Sequence, residues 1–201
     1  MWEIYDLPSF VLIEGKKFEI KTDWRNIIDI FECFNDSELT MMEKTDCLLD
    51  LFYKNYEEIP NVEEALRYLI LFINGNKKIS EEETSSNAET PLILYDWQKD
   101  LPLIIPPINK ILGFDIREKK HLHWFTFLGA FYEIGECAFK TYVDIRYKLA
   151  KRKKLEDYEK EIYRNHKSEI EIKQNIPQYD NFDEEDILMK FAKQKKGVWM
   201  E

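Results

Sequence analysis

The sequence predicts a mainly α protein, a helical domain with a short N-terminal β-hairpin. Three observations carry that prediction. Apolar residues recur at i, i+3 and i+4 in several separate segments, most preceded by a side chain able to cap a helix. Residues 10–20 alternate apolar and polar instead, around the turn Glu14-Gly15-Lys16. The hydrophobic share is 44% of 201 residues, enough to fill a core rather than leave a disordered chain.

The hairpin comes first, because Gly15 supplies the positive φ that a tight turn needs. From Thr22 the period becomes helical: Trp24, Ile27, Ile28, Phe31 and Phe34 share one face, with Thr22 or Asp23 as cap. A second helix starts at Thr40, where Thr40 and Glu43 make a capping box and Leu48, Leu51 and Phe52 form the apolar stripe. Asn61 and Glu64 repeat the signal for a third, facing Ala65, Leu66, Leu69, Ile70 and Ile73 inward and stopping at Asn74-Gly75. Residues 76–90 hold a single large apolar side chain, Ile79, and read as a flexible loop.

Pro91 to Tyr95 reads as extended, with Asp96 capping the next helix. Pro102 fits a first helical turn, whereas Pro106-Pro107 is expected to kink or interrupt the helix before Gly113 closes it. A long helix over about 119–150 is expected to hold the aromatic run Trp124, Phe125, Phe127, Phe131 and Tyr132. Close helix contact is the expected reason for Gly129 and Gly135 inside it. Residues 155–173 read as an exposed helix. The organisation is thus one helical domain over 1–175 and a tail over 176–201, the tail carrying an amphipathic helix over 184–193 with Ile187, Leu188 and Phe191.

The formal net charge of −10 argues against a general binder of nucleic acid or of an anionic membrane, since phosphate contact needs a basic surface. No apolar run approaches the roughly 20 residues of a membrane span. The start Met1-Trp2-Glu3-Ile4 lacks the pattern of a secretory signal. Cys33, Cys47 and Cys137 show no CxxC pairing and read as reduced thiols. A soluble protein of the cell interior, without membrane or nucleic-acid partner, is expected.

Catalytic, cofactor and metal candidates are weak. His121 and His123 would point to opposite sides of a helix, so a metal site would need a strand and His166 besides. Asp96 and Asp100 share a helix face, yet capping accounts for both. No P-loop, dinucleotide fingerprint, GxSxG or HExxH occurs. The expectation is a non-enzyme without cofactor or metal.

Partner contact is the better-populated class. Trp24, Trp97, Trp124, Phe125 and Tyr132 are the aromatic candidates; for the 124–132 run, core packing competes with an interface, including one between copies of the chain. Lys151, Arg152, Lys153 and Lys154, with Lys148 just before them, form a basic cluster in an acidic protein. It reads either as a solvated helix end or as a patch for an acidic protein partner.

Several segments stand in an order that resembles the bacteriophage gene-product-fifteen family of tailed phages and prophages of Gram-positive bacteria. They are Thr22-Asp23-Trp24-Arg25, Phe72-Ile73-Asn74-Gly75, Tyr95-Asp96-Trp97-Gln98-Lys99-Asp100, Gly113-Phe114-Asp115 and Leu122-His123-Trp124-Phe125-Thr126-Phe127. Gly135-Glu136-Cys137-Ala138-Phe139, Ile145-Arg146 and Lys153-Lys154-Leu155 extend it, so that it covers roughly residues 7–165. Phe125 stands where the family commonly has a second Trp. The resemblance implies a tail-morphogenesis protein of siphophages, acting in the host cytoplasm as a tail assembly chaperone on the tape-measure or tail-tube protein. A component of the mature tail is the alternative within that class, and an inhibitor of host defence the alternative outside it. The resemblance implies no catalytic residue.

Overall fold

The computed structural model describes residues 7–76 and 92–172. The expected loop over 76–90 lies outside them apart from Asn76, as does the expected tail over 176–201 with its amphipathic helix. The described residues form two compact units. One takes residues 7–76 with His123–Phe125, the other residues 92–122 with 126–172.

The first unit opens on the hairpin, β1 (Phe10–Ile13) against β2 (Lys16–Glu19), antiparallel with Ile13 opposite Lys16. Glu14 and Gly15 both take positive φ, 49° and 78°, the two-residue turn whose twist matches that of the strands. Alternation then buries Val11, Ile13 and Phe18 and leaves Phe10, Leu12 and Lys17 outside.

Helix α1 (Trp24–Asn35) begins where Asp23 accepts the Arg25 amide, at 3.0 Å. Its buried stripe is wider than the sequence suggested. Ile30 and Cys33 join Trp24, Ile27, Ile28 and Phe31, while Phe34 is only half-buried. α2 (Met41–Phe52) carries the expected capping box: the Glu43 amide donates to Thr40 Oγ1 at 3.3 Å, and the Thr40 amide donates to Glu43 Oε2 at 2.8 Å. Leu49, rather than Leu51, completes its stripe with Leu48 and Phe52.

α3 (Val62–Ile73) starts at Asn61 and ends in a Schellman motif. The Gly75 amide donates to Phe72 O and the Asn76 amide to Leu71 O, with Gly75 and Asn76 both at positive φ. α1 packs on α2, α2 on α3, and α3 on β1. The Tyr53 hydroxyl donates to Ala65 O at 2.8 Å and ties the end of α2 to α3.

The second unit is all helical: α4 (Trp97–Leu112), most of α5 (Trp124–Tyr132), α6 (Ala138–Ala150), α7 (Asp157–Asn165) and the single turn α8 (Lys167–Ile170). α4 packs on α6, and α8 on α6 and α7. The expected interruption at Pro106-Pro107 does not occur, for α4 is one helix of 16 residues. Pro102 and Pro106 are exposed and four apart, so the carbonyls that lose their amide partners lie along a solvated stripe where water can replace them. Pro102 sits in the second turn, not the first.

The single long helix expected over 119–150 is instead two helices. α5 tightens at its end into i→i−3 bonds, the Glu133 amide to Ala130 O and the Ile134 amide to Phe131 O, and Gly135 lies in the gap before α6. Close helix contact is not why Gly129 and Gly135 are present: a Cβ built on either meets no atom within 4 Å. Residues 155–170 are less exposed than expected, since Leu155, Glu159 and Ile170 are buried, with Ile170 packed beside Tyr142 and Ile145.

Candidate functional site

The aromatic candidates divide sharply by burial. Trp24, Trp97 and Trp124 are 4%, 6% and 0% exposed and serve the cores of their units. In the first unit the Trp124 ring meets Phe31 edge-on at 5.8 Å and its Nε1 donates to Ile73 O at 3.0 Å. Half-buried Phe125 stacks on Phe72 at 4.9 Å. In the second unit Trp97 lies 4.7 Å from Phe131 and 6.1 Å from Phe127, while Tyr95 touches Trp97, Phe131 and Phe139. Among the five, only Tyr132 is well exposed, at 60%.

His123 is a helix-capping residue. Its Nδ1 accepts the Phe125 amide at 3.1 Å, which requires a bare nitrogen there. The proton therefore sits on Nε2, which donates to Pro8 O at 3.0 Å. The Trp124 amide donates to Thr22 O, holding the start of α5 beside the start of α1 within the first unit. His166 in turn faces Glu169 at 3.2 Å. Among the described residues no group of three or more His, Cys, Asp or Glu side chains is arranged to hold a metal.

The carboxylate pair is likewise structural. Asp96 caps α4, accepting the Lys99 amide at 2.9 Å, and its own amide donates to Asp100 Oδ2. Asp100 is buried and meets Arg146 in a two-pronged pair, Nη1 to Oδ2 at 2.6 Å and Nη2 to Oδ1 at 2.9 Å. Arg146 then donates to the carbonyls of Ile170 (from Nε), Leu94 (from Nη1) and Glu169 (from Nη2), so all five of its N–H groups are used. Sequence reasoning missed Arg146 as a determinant of the fold. The signal was there: Phe139, Tyr142 and Arg146 are spaced i, i+3, i+7, which places an arginine on the buried face of α6.

The basic cluster forms a surface. Lys151 caps the end of α6, and Lys151, Arg152, Lys153 and Lys154 are all exposed. The turn is a second Schellman motif: the Arg152 amide donates to Leu149 O and the Lys153 amide to Lys148 O, with Arg152 at φ 51°. The Lys153 ammonium lies 4.7 Å from the Tyr147 ring centroid. Lys148 is set apart from the others. Its Nζ bridges both oxygens of buried Glu159 at 2.7 Å each, pinning α7 to α6. Burial pushes the Glu159 carboxyl up, but Lys148 and the Glu156 amide outweigh it and leave the group below its ordinary value. Tyr147 and Tyr158, 38% and 60% exposed, give the second unit aromatic as well as cationic surface.

Among the described residues no helix is long and apolar enough to cross a membrane. The chain matches a family model described as Bacteriophage Gp15 protein over residues 4–172. No curated protein and no solved structure matches it.

Proposed function

Because this chain belongs to the bacteriophage Gp15 family, we propose that it is a tail assembly protein, a chaperone that binds the tape-measure or tail-tube protein in the host cytoplasm and takes no part in catalysis. The observation that carries the reading is the family match, which spans all of the described residues. Support comes from how the polar candidates are used. Asp96 caps a helix, Asp100 is consumed by Arg146, and His123 spends both ring nitrogens on backbone groups.

The exposed side chains assigned to a partner are the cations of the turn Lys151–Lys154 with Tyr147 and Tyr158, and, separately, Tyr132 at the end of α5. Cations and amphipathic rings on a chain of net charge −10 suit an acidic segment of another protein, bound reversibly and sensitive to salt. The test is capture of a tagged copy from phage-infected cells. Enrichment of the tape-measure or tail-tube protein is expected, together with absence of this chain from purified virions by mass spectrometry. Abundant chain in the virion would make it a component of the mature tail instead, and capture of neither protein would overturn the chaperone reading.

A further inference from the structure

Cys33 and Cys47 lie on two helices that pack side by side, α1 and α2. Cys33 belongs to the buried face of α1. Its thiol donates across the α1–α2 contact to the Lys44 carbonyl, at 3.8 Å. Lys44 and Cys47 are three apart on α2 and so share the face turned toward α1. Neither sulfur is in a disulfide. We propose that Cys33 and Cys47 form a reversible dithiol, closed to a disulfide between α1 and α2 by a hydroperoxide and reopened by a thiol reductant.

The two sulfurs have different roles, set by their surroundings. Cys47 is half-buried and meets the oxidant first. Its thiolate attacks the peroxide, the O–O bond breaks, an alcohol (water, from hydrogen peroxide) leaves, and Cys47 becomes a sulfenic acid. The Cys33 sulfur then attacks the Cys47 sulfur; the S–O bond breaks and the hydroxyl leaves as water with the Cys33 proton. Two thiols lose two electrons, and the hydroperoxide gains them. Burial, then the neighbouring Cys47, push the Cys33 thiol up to about 12, so Cys33 is the slow, resolving partner and not the group that first meets the oxidant. The dithiol is independent of the tail-assembly reading, since neither residue belongs to the surface assigned to the partner.

The test takes the full-length reduced chain, treats it with hydrogen peroxide and measures intact mass and a non-reducing peptide map. Loss of the mass of two hydrogens is expected, with one linked peptide pair joining Cys33 to Cys47, reversed by dithiothreitol and retained in Cys137→Ser. Cys33→Ser should stop at a Cys47 sulfenic acid that dimedone traps. An unchanged mass, oxygen added at Cys47 of the parent chain without a link, or a link that uses Cys137 would overturn the proposal.

Discussion

Asp100 and Arg146 form a buried, two-pronged ion pair that joins the first turn of α4 to α6, with side chains 2% and 3% exposed. Three backbone carbonyls complete the guanidinium's bonding, and two of them belong to Glu169 and Ile170 at the end of the described chain. Removing either partner strands a charge without solvent. Asp100→Ala should therefore destabilise the chain by about 3–5 kcal/mol. Arg146→Lys should cost a comparable amount, because one ammonium cannot reproduce five forked donors. Denaturant unfolding monitored by far-UV circular dichroism measures both; a loss below about 1 kcal/mol for Asp100→Ala would mean the pair is not the anchor described.

Acid should weaken the junction between α6 and α7. Glu159 titrates below its ordinary value of 4.5 in the folded chain, so its contribution to stability is complete above that pH and is lost as pH falls through the lower folded value. Tyr142 and His166 lower Glu169 in the same sense. Glu159→Gln cannot ionise. The gap in unfolding free energy between parent and variant should be widest near pH 7 and should close toward pH 3, and a gap constant across that range would remove Glu159 from the acid limb.

Much of the fold was legible because local chemistry fixed it. The hairpin turn, the caps at Asp23, Thr40, Asn61 and Asp96, and the stops at Gly75 and Gly113 all depend on a few adjacent residues. What stayed hidden depends on partners far along the chain. Pro106-Pro107 was expected to disturb a helix that in fact runs unbroken through both, with Pro102 and Pro106 turned toward water. The break between α5 and α6 was masked because Leu128 to Tyr142 keeps apolar residues in nearly every turn. For the site, the sequence named rings and cations but could not sort them by depth. Trp24, Trp97 and Trp124 look identical to Tyr132 until the neighbours that bury them are placed.

Arg152 gives a prediction about backbone alone. It occupies the left-handed position of the turn after α6, at φ 51°, where a side chain costs roughly 1–2 kcal/mol. Glycine removes that cost but loses more freedom on folding, by about 0.5–1 kcal/mol. Arg152→Gly should accordingly be neutral to stabilising, by up to about 1 kcal/mol. Arg152→Val, branched at Cβ, should lower the melting temperature. A clear fall in Tm for the glycine variant would show that the Arg152 side chain makes a stabilising contact.

The same turn separates surface function from core stability. Lys151→Glu, Lys153→Glu and Lys154→Glu together reverse three exposed charges and take the Lys153 ammonium away from the Tyr147 ring and hydroxyl. The triple variant should fold within about 0.5 kcal/mol per site of the parent, yet lose capture of the tape-measure or tail-tube protein. Capture by the parent should itself weaken as salt rises, because exposed charges at an interface are screened. Trp97→Ala is the contrasting variant. It empties a ring from among Tyr95, Phe127 and Phe131 and should cost about 3–5 kcal/mol. Any loss of binding in it should follow loss of the fold and recover at lower temperature. Full capture by the triple variant would clear the basic turn of a role in partner binding and leave the exposed rings Tyr132, Tyr147 and Tyr158 to test next.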